Sequence, residues 1–236
     1  TADEILHLFK LMLSYLPPTL KLFGFTLLYS IPLGMVVALL KMCKFKPVSW
    51  LTNLYILIMR GTPLLLQIIV VYYSVPTIRS NPHCPAFLQN LLNGVELRGD
   101  AGVVYMFRMI LLAFVLNYAA YFAEIYRSGI QSMPVGQYEA AKLLGYSKSQ
   151  TFITIILPQV IKRILPSVTN EVITLVKDTS LAFTLSVMEM FTTAKALASS
   201  QVSMMPFVAA GIFYYVFNLI VAMFLEWLEK KLDYYR

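Results

Sequence analysis

The sequence predicts an all-α, polytopic membrane protein with five transmembrane helices. Three observations carry that prediction. Hydrophobic residues make up 58% of the 236 positions and charged residues 13%, about half the charged share of a soluble domain. The mean hydropathy is +0.69. Apolar runs near the ~20 residues needed to cross a hydrocarbon core recur five times, and the loops between them differ in charge. Residues 1–236 read as a single domain, with no room for a second folded module.

The elements follow in order. Residues 1–16 place Ile5, Leu8, Phe9, Met12 and Leu13 on one face, which predicts an interfacial amphipathic helix. The first span is Thr19–Leu40, interrupted by Pro32 and Gly34. The second is Gly61–Ile78, preceded by an amphipathic run over Val48–Met59. The third is Val104–Tyr126, the fourth Ser167–Met190 and the fifth Pro206–Leu228. Residues 127–165 form the long polar loop between the third and fourth spans.

Positive charge orients the bundle. Lys41, Lys44 and Lys46 follow the first span, and Arg127, Lys142, Lys148, Lys162 and Arg163 lie in the long loop. Lys230, Lys231 and Arg236 end the chain against Glu229 and Asp233. The opposite loops hold Arg79 and Arg98 against Glu96 and Asp100, and Lys195 alone. The N-terminus is therefore expected outside, with the long loop and the C-terminus in the cytoplasm. The net charge of +7 is mostly this asymmetry, not a nucleic-acid footprint. Cys43 and Cys84 fall on opposite faces, which excludes an intrachain disulfide. His7 and His83 are isolated, and no metal site is expected.

Enzymatic chemistry is not written here. None of the ten glycines precedes a Lys, so the glycine-rich loop that holds nucleotide phosphates is missing. No Ser/His/Asp arrangement occurs. No cofactor is expected on this chain, and the energy source is expected to be another polypeptide. A secondary transporter would show more spans and internal repeats, and a channel would need a filter motif. Either one, carrying a coincidental loop motif, is the alternative reading.

The long loop is the most informative segment. Glu139-Ala140-Ala141-Lys142-Leu143-Leu144 is built from strong helix formers, and Gly145 is placed to stop that helix at φ > 0. Ser147 and Gln150 form a capping-box pattern for a second helix. Pro158 closes the unit as Ile155-Ile156-Leu157-Pro158. The spaced pattern resembles the coupling loop of bacterial ABC-importer permeases. Three further segments carry the resemblance: Arg60-Gly61-Thr62-Pro63-Leu64-Leu65-Leu66-Gln67, Ala119 through Ile130, and Lys177-Asp178-Thr179-Ser180-Leu181. Together they resemble the permease subunits of polar-amino-acid importers of the histidine, glutamine, arginine and cystine group, from about Thr19 to the end of the chain.

That resemblance implies a type I importer in the bacterial inner membrane. Two permeases, identical or homologous, pair about a twofold axis. A pair of ATPase subunits binds beneath and carries ATP and Mg. An extracellular solute-binding protein delivers an amino acid. Glu139, Ala140, Ala141, Leu144, Gly145 and Pro158 are the expected coupling residues. The outer loop from Arg79 to Gly102 is longer than the family pattern. It is either a docking surface or a tolerated insertion.

Ionisable groups at membrane depth need a partner or a cavity. On a continuous fourth span, Glu171, Asp178 and Glu189 would fall within roughly 20° of one stripe. In the third span Asn117, Tyr121, Glu124 and Ser128 share one polar face. Asn117, Tyr121, Asp178, Thr179 and Glu189 are the candidate substrate-binding residues, for a cationic amino acid or cystine. The competing reading is interhelical hydrogen bonding. Glu124 and Glu171, with Arg60, Gly61 and Pro63 at the break opening the second span, are expected to be structural. Arg60 is expected to donate to the carbonyls that this break frees or to a carboxylate.

Overall fold

The computed structural model describes residues 2–92, 99–187 and 189–231. Glu96, Arg98, Asp233 and Arg236, used above to orient the bundle, lie outside the described residues, as does the side chain of Ile5. Among the described residues the chain is mainly helical, with no strand.

Helix α1 (Ala2–Ser14) leads almost directly into α2 (Leu16–Lys41), the first span. The apolar face of α1 does not lie open at an interface. Leu8 and Met12 pack against Met190, Ala194, Ala209 and Ala210, and the Phe9 and Phe213 rings lie 5.6 Å apart. The amphipathic pattern thus serves a protein contact, while Leu13 stays exposed.

Helices α3 (Lys46–Gly61) and α4 (Leu64–Ser80) meet at 114°. The cause is local. The Pro63 ring disfavours helical geometry at Thr62, and Thr62 is extended at φ −120°, ψ 147°. Counting this bent pair as one span gives five; the continuous helices alone give four. A short helix, α5 (Ala86–Leu92), occupies part of the long outer loop.

Helix α6 (Gly99–Gln131) is the hub and runs five residues past the predicted end of the third span. Its face of Ala119, Ala120 and Ala123 is fully buried. Small side chains let helix backbones approach, which drives packing where lipid removes the hydrophobic gain. Gly34 in α2 meets this face: a Cβ there would lie 2.7 Å from Phe122 Cβ and 3.1 Å from the Ala119 carbonyl. Phe114, Tyr118 and Phe122 fill the centre.

After α7 (Val135–Leu143), one helix runs from Lys148 to Leu185. It starts as α8 (Lys148–Gln150), widens to a π-turn over Thr151–Ile156, and continues as α9 (Leu157–Asp178) and a 3₁₀ segment over Thr179–Leu185. Pro158 explains the π-turn. It has no N–H for the Thr154 carbonyl and its ring crowds that oxygen, so the helix widens just before it. Much of the predicted polar loop is therefore the start of the fourth span. Helix α10 (Met190–Gln201) is separate, and α11 (Met205–Lys231) is the last span. The exposed Val208, Ile212, Leu219, Ile220, Met223 and Phe224 of α11 face where a soluble protein would not tolerate them.

Candidate functional site

Two features stand out on this frame: a polar groove along α6 and α9, and a protruding helix after α6.

The groove has a volume of about 320 Å³. Tyr121, Glu124 and Ser128 from α6, Arg60 from α3, and Ser167 and Glu171 from α9 line it. The guanidinium of Arg60 lies 5.3 Å from the centre of the Tyr121 ring, within cation–π range. Glu171 faces the groove from the opposite wall. Asp178 lies two turns further along the same stripe of α9 and accepts a 2.7 Å hydrogen bond from the buried Tyr118 hydroxyl. At the groove's end Glu124 accepts from Lys41 Nζ at 2.9 Å and from Arg127, so its charge is spent locally.

The single stripe expected for Glu171, Asp178 and Glu189 does not exist. The α-helix ends at Asp178, and Ser186 takes a left-handed conformation at φ 56°. Glu189 begins a new helix as its N-cap. Its carboxylate, 2% exposed, accepts from the Phe191 and Thr192 backbone N–H groups at 2.9 and 2.7 Å, the Thr192 hydroxyl at 3.0 Å and the Tyr214 hydroxyl at 3.0 Å. Capping groups supply the partners that a buried carboxylate needs. Thr179 is fully buried and donates to the Val176 carbonyl at 2.7 Å.

Asn117 is turned from the groove towards the helix break. Its amide donates to the Met59 carbonyl and to Gln67 Oε1, both at 3.0 Å. Gln67 Nε2 donates to the Met59 carbonyl at 2.9 Å and to the Thr62 carbonyl at 3.1 Å. The carbonyls freed by Gly61 and Pro63 are therefore taken by Gln67 and Asn117, not by Arg60, which is exposed in the groove. Gln67 was legible as the end of the Arg60–Gln67 segment, but nothing in the sequence showed the fold-back that points it at Met59. Tyr118 likewise looked like one aromatic among fifteen tyrosines.

The protruding helix is α7. Gly145 takes φ 80°, and the Gly145 and Tyr146 N–H groups donate to the Lys142 and Ala141 carbonyls, a glycine-terminated helix end. The capping box is formed: Ser147 Oγ accepts from the Gln150 N–H, and Gln150 Oε1 accepts from the Ser147 N–H. Ala141 is buried and pins the helix. Glu139 and Ala140 are exposed. Val135, Leu143, Leu144 and Ile153 are 62–89% exposed. Pro158 lies beneath, in the first turn of α9.

An all-helical bundle of four to five candidate spans, with a polar groove inside and a bare apolar helix projecting from it, defines a membrane transport subunit built to bind a partner. The chain belongs to the family of binding-protein-dependent transport system inner membrane components, matched over residues 30–234. It is 38% identical to the octopine transport system permease protein OccM of Rhizobium radiobacter, covering 95% of this chain and 86% of that one. It is 34% identical to the L-cystine transport system permease protein TcyL of Bacillus subtilis, covering 93% and 86%. Among solved structures, an amino acid ABC transporter crystallised with histidines superposes with a TM-score of 0.77 at 30% identity, covering 94% of each chain. The protein is a multi-pass inner-membrane permease of an amino-acid ABC importer, and not itself an enzyme.

Proposed function

We propose that this permease carries a cationic amino acid or cystine through the groove between α6 and α9. Arg60 receives the α-carboxylate, and Glu171 and Asp178 hold ammonium or guanidinium groups. The charge balance of the groove carries this reading. Glu124 is bonded to Lys41 and Arg127, and Arg163, the second cation lining the groove, donates to the Ser132 carbonyl at 2.6 Å, which leaves Arg60 facing the acids Glu171 and, two turns further along α9, Asp178. A zwitterion uses one of each, and the second acid suits a further positive charge. Charge-assisted hydrogen bonds to such groups contribute about 1.5–3 kcal/mol each. L-cystine, octopine and arginine appear in the names of relatives at 32–38% identity. Glutamate/aspartate appears at 32% as well, so overall similarity does not choose the substrate. Tyr121 forms the wall behind the substrate. Asn117, Thr179 and Glu189 hold the frame around it, since their polar atoms already bond within the protein.

The proposed energy transfer follows from the same elements. An ATPase subunit pair grips α7 through Val135, Leu143 and Leu144, with Glu139 at the rim. Gly145 sets a fixed angle between α7 and the helix starting at Lys148. That helix runs unbroken into α9, so displacement at α7 reaches Glu171 and Asp178 as motion of one rod. A second permease closes the groove, and a solute-binding protein feeds it from the N-terminal side of the bundle. Alternating access needs two states that the partner biases; ATP binding and hydrolysis on that partner supply the bias.

The test is competition against uptake of labelled arginine by the assembled complex in proteoliposomes. Arginine, lysine and cystine should compete strongly and glutamate should not. Glu171→Gln should weaken arginine competition by roughly ten- to a hundredfold. Equal competition by glutamate and arginine would sink the cationic assignment.

A further inference from the structure

A second cavity lies at the end of the bundle that carries α7, outside the transport groove. It measures about 520 Å³ and is walled by the C-terminus of α2, the N-terminus of α3 and the C-terminus of α6. Lys41, Lys46 and Arg127 line it, with Ser49, Asn53 and Trp50. Among the described residues Glu124 is the one acid bonded to these cations, shared between Lys41 and Arg127. Among the described residues Lys46 has no ion pair or hydrogen bond. The cavity thus holds a surplus of positive charge beside hydrogen-bonding side chains.

Its depth is set by helix geometry. Lys21 and Lys41 are twenty residues apart on α2, about 30 Å at 1.5 Å per residue. Arg108 and Arg127 are nineteen apart on α6, about 28 Å. Both intervals match the ~30 Å hydrocarbon core, which puts Lys41 and Arg127 at the level of lipid headgroups. Trp50 is 67% exposed at the rim, where interfacial tryptophans sit. From Trp50 a bare apolar stripe runs along α3 towards the membrane centre: Leu54 and then Leu57, 38% and 61% exposed, at i+4 and i+7. A cationic pocket that opens onto an apolar track is complementary to a negatively charged head joined to a chain.

We propose that this cavity binds one anionic phospholipid of the bilayer, its phosphate held by Lys41, Lys46 and Arg127 and its acyl chain laid along Trp50, Leu54 and Leu57. Basic pockets between spanning helices recognise anionic headgroups by this combination. A soluble anion would use the cations and leave the stripe idle. The proposal requires only that Lys41 and Arg127 sit at a membrane interface. It does not depend on which amino acid is carried or on which side α7 lies.

The sequence supplies its own reporter, because Trp50 and Trp227 are the two tryptophans. The full complex carrying Trp227→Phe, in nanodiscs of dioleoyl phosphatidylcholine, is titrated with brominated phosphatidylglycerol or brominated phosphatidylcholine. Emission from this chain is read as the difference from a matched Trp50→Phe/Trp227→Phe complex. Phosphatidylglycerol should quench Trp50 at about fivefold lower mole fraction than phosphatidylcholine. That is the factor given by ~1 kcal/mol for one basic residue at the surface, here Lys46, the one of the three not bonded to Glu124. Lys46→Gln should erase the preference and Lys46→Arg should keep it. Millimolar inorganic phosphate should leave it unchanged. Equal quenching by the two lipids overturns the proposal. So does absence of quenching by either, which means that another protein surface covers the cavity. So does loss of the preference in phosphate, which means a site for soluble anions. Arginine uptake is a separate readout, and its loss in Glu171→Gln with lipid preference intact separates the two sites.

Discussion

The side-chain amide of Asn117, in the middle of α6, donates to Oε1 of Gln67 in α4 at 3.0 Å, and both donate to the carbonyl of Met59 at the end of α3. This pair closes a helix break inside the membrane. A broken helix is tolerated there only if its freed backbone groups find partners. The break in turn presents Arg60 to the groove rather than to its own backbone.

Gln67→Leu should therefore destabilise the complex without changing substrate affinity. It removes the donor to the Thr62 carbonyl and one of the two donors to Met59, and it takes the Oε1 acceptor from Asn117, which keeps its bond to Met59. Each orphaned buried group costs about 1–3 kcal/mol, although membrane hydrogen bonds often measure nearer 1 kcal/mol. Thermal denaturation of the detergent-solubilised complex, beside arginine competition, checks both halves. A changed affinity at unchanged stability would mean that Gln67 touches substrate.

At Gly129, α6 packs tightly against α9. A Cβ there would fall inside the van der Waals envelope of Ile164 Cγ2, with Val160 Cγ1 3.2 Å away. Gly129→Ala should cost about 1–3 kcal/mol by overpacking, read as a lowered midpoint. Adding Ile164→Ala should recover much of it. A double variant no better than additive would show that the crossing relaxes elsewhere.

Tyr118 and Asp178 give opposite signatures. Tyr118→Phe leaves the carboxylate but removes its 2.7 Å partner, so stability should fall by about 1.5–3 kcal/mol. Asp178→Asn keeps an acceptor for the Tyr118 hydroxyl and removes only the charge. Its stability should change little, while affinity for a cationic substrate falls roughly tenfold. Parallel melting and uptake measurements separate the two; a large stability loss in Asp178→Asn with unchanged uptake would make this acid structural only.

Gly145→Val tests the lever. At φ 80° a β-branched side chain is strained by about 1–3 kcal/mol, and the angle between α7 and the helix from Lys148 must shift. ATP hydrolysis by the complex should continue while uptake drops severalfold. Wild-type uptake per ATP hydrolysed would remove Gly145 from the coupling path.

Much of the segment around α7 was legible because its signals are local. Helix formers over Glu139–Leu144, a glycine stop at Gly145 and the Ser147–Gln150 box each act within four residues, and each is formed in the structure. The polar face of α6 was half legible: Tyr121, Glu124 and Ser128 line the groove, while Asn117 turns to α4. The fourth span was misjudged where a continuous helix was assumed. Nothing between Asp178 and Glu189 is a proline or glycine, so no local breaker announced the left-handed turn at Ser186.

The sequence by itself determined the class of protein, a set of four to five apolar crossings, the break at Gly61–Pro63 and the glycine-stopped end of α7. Hydropathy, proline sterics and capping are all nearest-neighbour physics. The tertiary structure alone decided which polar groups remain free. Asn117 reaches Met59 and Gln67, Glu189 accepts from Tyr214, and Lys41 reaches Glu124 only because helices apart in the chain lie side by side. A buried polar group acts on substrate or on the fold according to whether its hydrogen bonds are already taken, and those partners are set by helix packing rather than by the residue's own neighbours in sequence.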